Sequence, residues 1–120
     1  MEYLYLKWIN NKTRKKHVIG ALCRKDGKYY FKLVKGYSRL KDEIEFPSNI
    51  IPFSDENRIY ESNILFSIFR IRLPDITRYS ESELNELLEQ YKLDTYDDFE
   101  MLKATSGKLR LDNFVVEGEL

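Results

Sequence analysis

Hydrophobic and polar positions alternate with a period of two near the start of the chain and drift toward helical spacing from the middle onward. Residues 3–9, Tyr-Leu-Tyr-Leu-Lys-Trp-Ile, are rich in aromatic and branched side chains and read as a strand. Leu4, Leu6 and Trp8 share one face, and Tyr3, Tyr5, Lys7 and Ile9 share the other. Residues 10–16 read as a polar, mobile connection. A second strand is expected over 17–24, with Ile19, Ala21 and Cys23 opposite Val18, Gly20 and Leu22; Gly20 inside it marks a bulge or a close backbone approach. Asp26-Gly27 is the best turn signal, because both central positions of a type I′ turn need positive φ. A third strand over 28–35 alternates Tyr29, Phe31 and Leu33 against Tyr30, Lys32 and Val34, which completes an antiparallel meander.

The run at 60–74 is the most apolar helix-length stretch of the chain. On a wheel of about 100° per residue, its apolar side chains from Ile64 to Leu73 cover an arc of roughly 220°, about twice the stripe a surface helix needs. The spacing predicts a helix capped by Ser62 and ended near Arg72 by Pro74. Such a helix is either sandwiched between sheet and helices or partly reserved for another protein. Before it, Glu43-Ile-Glu-Phe-Pro47 alternates briefly, and Pro47 limits it to an edge strand or an extended loop. Ile50, Ile51 and Phe53 are expected to tie this segment to the core.

After it, Ser80-Glu-Ser-Glu83 is a capping box, and Leu84, Leu87, Leu88 and Tyr91 continue at helical spacing, so 81–91 reads as a helix. Thr95 with Asp98 caps the next helix, Gly107 ends it, and Leu109 to Val116 closes the fold with a strand. The expected architecture is a single α+β domain spanning 1–120. It has a small antiparallel sheet, a three-strand meander plus one or two further strands, with about three helices packed on one face.

Composition narrows the function classes. Lysine and arginine total 20 and aspartate and glutamate total 20, so nucleic-acid attraction is not a global property and needs a local patch. The single Cys23 rules out an intramolecular disulfide, reads as a packed strand residue and suits a cytoplasmic protein. No run approaches a membrane span, and the opening residues lack a signal-peptide pattern.

Chemistry is sparse. The only histidine, His17, has no nucleophile placed beside it by the pattern and reads as structural or solvated. Asp97-Asp98 and Glu81/Glu83 fall in first helical turns, where capping explains them. Metal-ligand spacings and phosphate-binding glycine loops are absent, so neither catalytic residues nor a metal or other cofactor are expected. Trp8, the only tryptophan, is core if buried and a partner anchor if exposed. Arg70, Arg72 and Arg78 gather at the end of the expected central helix; Arg72 would project into its apolar arc, which requires either exposure or a carboxylate partner. Lys12, Arg14, Lys15 and Lys16 form a basic hairpin tip, and Tyr3, Tyr5, Tyr29 and Tyr30 would supply stacking platforms beside it.

A family resemblance enters on three stretches. Val18-Ile-Gly-Ala-Leu22 with Gly27-Lys-Tyr-Tyr-Phe31 resembles the opening of the N-terminal subdomain of HipA-type toxin kinases. Leu65-Phe-Ser-Ile-Phe-Arg-Ile-Arg-Leu-Pro-Asp-Ile-Thr-Arg78 looks like that subdomain's "F..LLPe...R" helix, and Asp97-Asp-Phe-Glu-Met-Leu102 with Gly107 is similar to its "D.F.LL...G" helix. The kinase's catalytic residues have no counterpart here, and residues 36–57 and the arginine-rich segment depart from the pattern. The resemblance implies a stand-alone, HipS-like version of the subdomain. Its expected function is that of a non-enzymatic antitoxin or accessory subunit that binds a HipA-like Ser/Thr kinase, with Trp8, Arg70, Arg72 and Arg78 as partner-binding residues. A DNA- or RNA-associated domain using Lys12, Arg14, Lys15 and Lys16 is the alternative, and a mobile-element protein aimed at a host factor is a third.

Overall fold

The computed structural model describes residues 1–43, 45–109 and 112–120. The α+β expectation holds, with β1 (Tyr3–Ile9), β2 (Lys16–Lys25), β3 (Lys28–Leu33), β4 (Tyr60–Ser62) and β5 (Phe114–Glu117) forming one open antiparallel sheet in the order β4-β3-β2-β1-β5. Among the described residues, four α-helices accompany it: the single turns α1 (Tyr37–Leu40) and α2 (Ser67–Arg70), and the longer α3 (Glu81–Gln90) and α4 (Asp98–Thr105).

The meander forms for local reasons. Asp26 (φ 52°) and Gly27 (φ 77°) occupy the two left-handed positions between β2 and β3, as the turn requires. The β1–β2 connection is a hydrogen-bonded turn around Asn10, whose buried side-chain oxygen accepts the Lys12 and Thr13 amides at 2.8 and 3.2 Å.

Gly20 accounts for one departure in β2. The register passes from Leu6↔Gly20 to Lys7↔Val18, so Ile19 is an extra residue in a bulge. The bulge reverses the alternation. Gly20 and Leu22 lie opposite Leu6 and Leu4, while Ile19 joins the same core cluster as Leu22 instead of the face of Ala21 and Cys23. A Cβ on Gly20 would lie 2.4 Å from Phe31 Cζ and 2.6 Å from the Lys32 carbonyl oxygen, so the backbone approach is close as well.

The helix expected at the centre of the chain does not form. Tyr60–Ser62 instead pairs with Phe31, Tyr30 and Tyr29 as the edge strand β4, and only Ser67–Arg70 turns helically. Ser62 does not cap a helix; its hydroxyl accepts the Ile64 amide at 3.2 Å. Tertiary partners outweigh the helical spacing: the Tyr60 ring packs on Phe53, and its hydroxyl accepts the Ser54 and Asp55 amides. The apolar residues then divide, with Leu65, Ile68 and Phe69 in the core and Ile64 and Ile71 outside it.

Other boundaries shift less. Residues 43 and 45–47 form a bend, a turn and irregular backbone in place of a strand, and Ile44 lies outside the described residues. Phe46, Ile51 and Phe53 do reach the core, but Ile50 is exposed. The Ser80–Glu83 capping box is present with both bonds at 3.1 Å. The cap of α4 is Asp97 and not Thr95, because the Asp97 carboxylate accepts the Glu100 amide at 3.0 Å and also meets Arg24. Ser106 rather than Gly107 takes the left-handed C-cap of α4, with Gly107 following at φ 55°. The final strand begins at Phe114; residues 110–111 of the expected stretch lie outside the described residues.

One cluster joins the sheet to the helices. Leu4, Leu6 and Trp8 from β1, Leu22 from β2, Phe31 and Leu33 from β3, and Phe114 and Val116 from β5 pack with Tyr37, Ile68, Phe69, Phe99 and Leu102 from the helices. The inner sheet face is thus dry. The outer face carries Tyr3, Tyr5, Lys7, Ala21, Cys23, Tyr30 and Lys32.

Candidate interaction surfaces

The arginines of the central segment part company. Arg72 is buried and Arg70 and Arg78 are exposed. The Arg72 guanidinium donates to both carboxylate oxygens of Asp112 at 3.1 and 2.8 Å, and to the carbonyls of Ile68 and Gly107 at 3.0 Å each. It also lies over the Phe114 ring at 5.5 Å. Its partner is therefore a carboxylate of the same chain, and the bidentate pair clips the end of α2 to the approach of β5. Trp8 is likewise interior at 2% exposure, in edge contact with Phe46 at 5.0 Å and stacked on His17 at 5.5 Å. Neither side chain presents a surface to a partner.

Arg70 borders a groove of about 470 Å³ lined by Ile71, Leu73, Pro74, Ile76 and Tyr96, with Asp75 and Asp98 on its rim. Pro74 and the Asp75 cap of the 3₁₀ turn Ile76–Arg78 fold the chain back to make it; the Asp75 carboxylate accepts the Thr77 amide at 3.2 Å. Arg78 reaches back to Asp75 at 3.5 Å. Burial, reinforced by Asp98, holds the Tyr96 phenol well above its ordinary pKa, so it stays protonated. Ile71 is 58% exposed and Ile64 60%, large apolar side chains left in water. An apolar side chain flanked by charges of both signs suits this groove. Tyr96 and Ile76 carried no signal in the sequence beyond being apolar, since their convergence depends on how two separate segments fold back.

The basic hairpin is partly engaged. Lys12 lies 3.6 Å from Glu45, and Lys16 donates to both Glu117 oxygens at 3.1 and 3.2 Å, whereas Arg14 and Lys15 are exposed. Glu117 also accepts Lys7 at 3.0 Å; Lys16 first, then Lys7, draws its carboxyl below the usual range. His17 Nε2 is buried without a hydrogen bond, 3.3 Å from Glu43.

The outer sheet face holds Tyr3, Tyr5 and Tyr30, with the Tyr3 and Tyr5 rings stacked at 6.5 Å. Tyr29 does not join them: its register places it on the inner face, where it is 8% exposed. The free edge of β5 is closed, because the Phe114 and Val116 amides are taken by Asp112 and the Ser106 carbonyl at 3.1 and 2.8 Å.

Among the described residues, no group of three or more His, Cys, Asp or Glu side chains is placed to hold a metal ion. No described helix is long and apolar enough to cross a membrane. Comparison with protein-family models, curated proteins and solved structures finds no match to this chain.

Proposed function

We propose that this protein is a non-enzymatic interaction module that binds and restrains a HipA-like Ser/Thr kinase in the cytoplasm. One observation carries the reading: the stretch Leu65–Arg78, which bears the strongest likeness to the HipA N-terminal subdomain, also leaves Ile71 exposed beside an apolar groove edged by Arg70. An apolar groove that includes an exposed isoleucine and is bordered by charged residues fits the apolar-core, polar-rim pattern of an interface. Binding one conformation of the kinase in preference to another would shift its activity by no more than the difference in affinity. The docking residues are then Ile71, Arg70 and Arg78, while Trp8 and Arg72 hold the domain together.

Co-purification with neighbouring gene products, together with rescue of growth from kinase toxicity, tests this. Capture of a kinase-like partner, weakened at least about 30-fold by Ile71→Glu and by Arg70→Glu, is the expected result, since a hot-spot truncation is worth at least ~2 kcal/mol. No kinase-like partner and no rescue would remove the reading.

A further inference from the structure

The outer face of the sheet has a shape that the docking groove does not use. Across the central strands, Tyr3 of β1, Cys23 of β2 and Tyr30 of β3 stand in one row, and Tyr5, Ala21 and Lys32 stand in the next. Small side chains on β2 thus floor a trough walled by tyrosines on β1 and β3. Its volume is about 470 Å³, and Lys25 and Lys32 stand at its margin. The two walls are two strand spacings apart, roughly 9.6 Å. A planar ring contacting another ring on each side needs about 7 Å, twice the ~3.5 Å carbon contact distance. The strand spacing therefore leaves room for a single flat ring between the two tyrosine-bearing strands.

Charge selects the kind of ring. The chain as a whole is neutral, yet the outer face carries Lys7, Lys16, Lys25, Lys28 and Lys32 against Glu61 and Glu117. Those two carboxylates are already committed, Glu61 to Lys28 and Glu117 to Lys7 and Lys16. Lys32 donates to the Glu56 carbonyl at 2.8 Å, and its positive charge is not neutralised by that bond. Lys25 lines the same trough as Cys23, which places a second lysine beside its floor.

We infer that the Tyr3–Tyr30 trough binds single-stranded nucleic acid, one unpaired base lying between the two tyrosine rings and the adjoining phosphates on Lys25 and Lys32. Stacking supplies most of the affinity and tolerates any base, because every base offers a π-face. The lysines contribute the salt-dependent part. This surface is separate from the Ile71 groove, so it stands or falls independently of the kinase reading.

Fluorescence anisotropy of a labelled oligothymidylate of about fifteen nucleotides, a length that spans a typical single-strand site, tests it with the intact chain. Binding that weakens as salt rises is expected. Tyr3→Ala and Tyr30→Ala should each weaken it about 5- to 150-fold, with Tyr3→Phe and Tyr30→Phe close to wild type because the rings remain. Lys25→Gln and Lys32→Gln should each lower the slope of log affinity against log salt by about 0.7. Circular dichroism on each variant separates lost binding from lost folding, and the lysine pair carries the test should an alanine variant unfold, since a salt slope unchanged in both Lys25→Gln and Lys32→Gln overturns the proposal. No binding at about 0.1 mM protein in low salt, the weak end of non-specific association, overturns the proposal. So does equal affinity for duplex, or loss only on neutralising Lys12, Arg14 and Lys15. Loss of kinase capture by Tyr3→Ala without any oligonucleotide binding would make the trough a protein interface and overturn it as well.

Discussion

The two faces of one sheet obey different rules. On the inner face, Leu4, Leu6, Leu22, Phe31 and Val116 are all at most 1% exposed and meet a layer of helices. On the outer face, directly behind them in the alternation, Tyr3 is 43% exposed while Lys7 is folded down to 6% beneath the Glu117 pair. Strand geometry alone sets this opposition, since successive side chains point to opposite sides. The inner face is chosen for volume, so its residues are tolerant of nothing. The outer face is chosen for what it offers to solvent or a ligand, and its aromatics carry little of the fold's stability.

The sharpest way to break that contrast is to delete inner-side partners. Trp8→Ala should destabilise by ~3–5 kcal/mol, and Arg72→Met by a similar ~3–5 kcal/mol because Asp112 is left without its counter-charge. Against a typical domain stability of about 5–15 kcal/mol, that loss is a large fraction, and urea titration should show a strongly lowered midpoint for either variant. A shift in the midpoint comparable to that of a surface variant would mean that Trp8 or Arg72 is not interior. Gly20→Ala comes next, at about 1–3 kcal/mol, since its Cβ would collide with Phe31 and the Lys32 carbonyl; a neutral thermal melt would refute the close approach.

Smaller again is the pH dependence at Glu117. Its folded carboxyl titrates below its unfolded value, so the Lys16 and Lys7 pairing stabilises fully above the ordinary carboxylate range. That contribution is lost as pH falls through the depressed folded value. The gap in urea midpoint between wild type and Glu117→Gln should therefore be present at neutral pH and close in acid. For a pair this exposed it should not exceed about 1 kcal/mol. A gap that widens in acid would reverse the assignment. Smallest of all, Tyr3→Ala should move stability by no more than ~0.5 kcal/mol while acting on ligand binding, which is the outer-face behaviour in its purest form.

Legibility in the sequence followed the range of the interactions involved. The Asp26-Gly27 turn and the Ser80–Glu83 capping box were readable because donor, acceptor and backbone angle all lie within a few residues. The alternation of β1 was readable for the same reason. In β2 the alternation departs from the sequence pattern at Ile19, just before Gly20, because a bulge is a property of two strands and the partner register is not written in either one. The groove was half legible: surplus apolar character in 60–74 was evident, but Tyr96, which completes the wall, arrives from a different segment.

The amino-acid order alone determined an antiparallel meander, two helices of which the first carries its capping box, a neutral chain without metal-ligand spacing, and more apolar surface near residue 65 than one helix face accommodates. Tertiary structure decided how that surplus was distributed. Pairing of Tyr60 with Phe31, and of Arg72 with Asp112 some 40 residues away, made residues 60–73 an edge strand and one helical turn instead of a helix. The physical reason is that hydrophobicity states how much must be buried, whereas the choice between helical and extended backbone belongs to whichever distant groups satisfy its hydrogen bonds and charges.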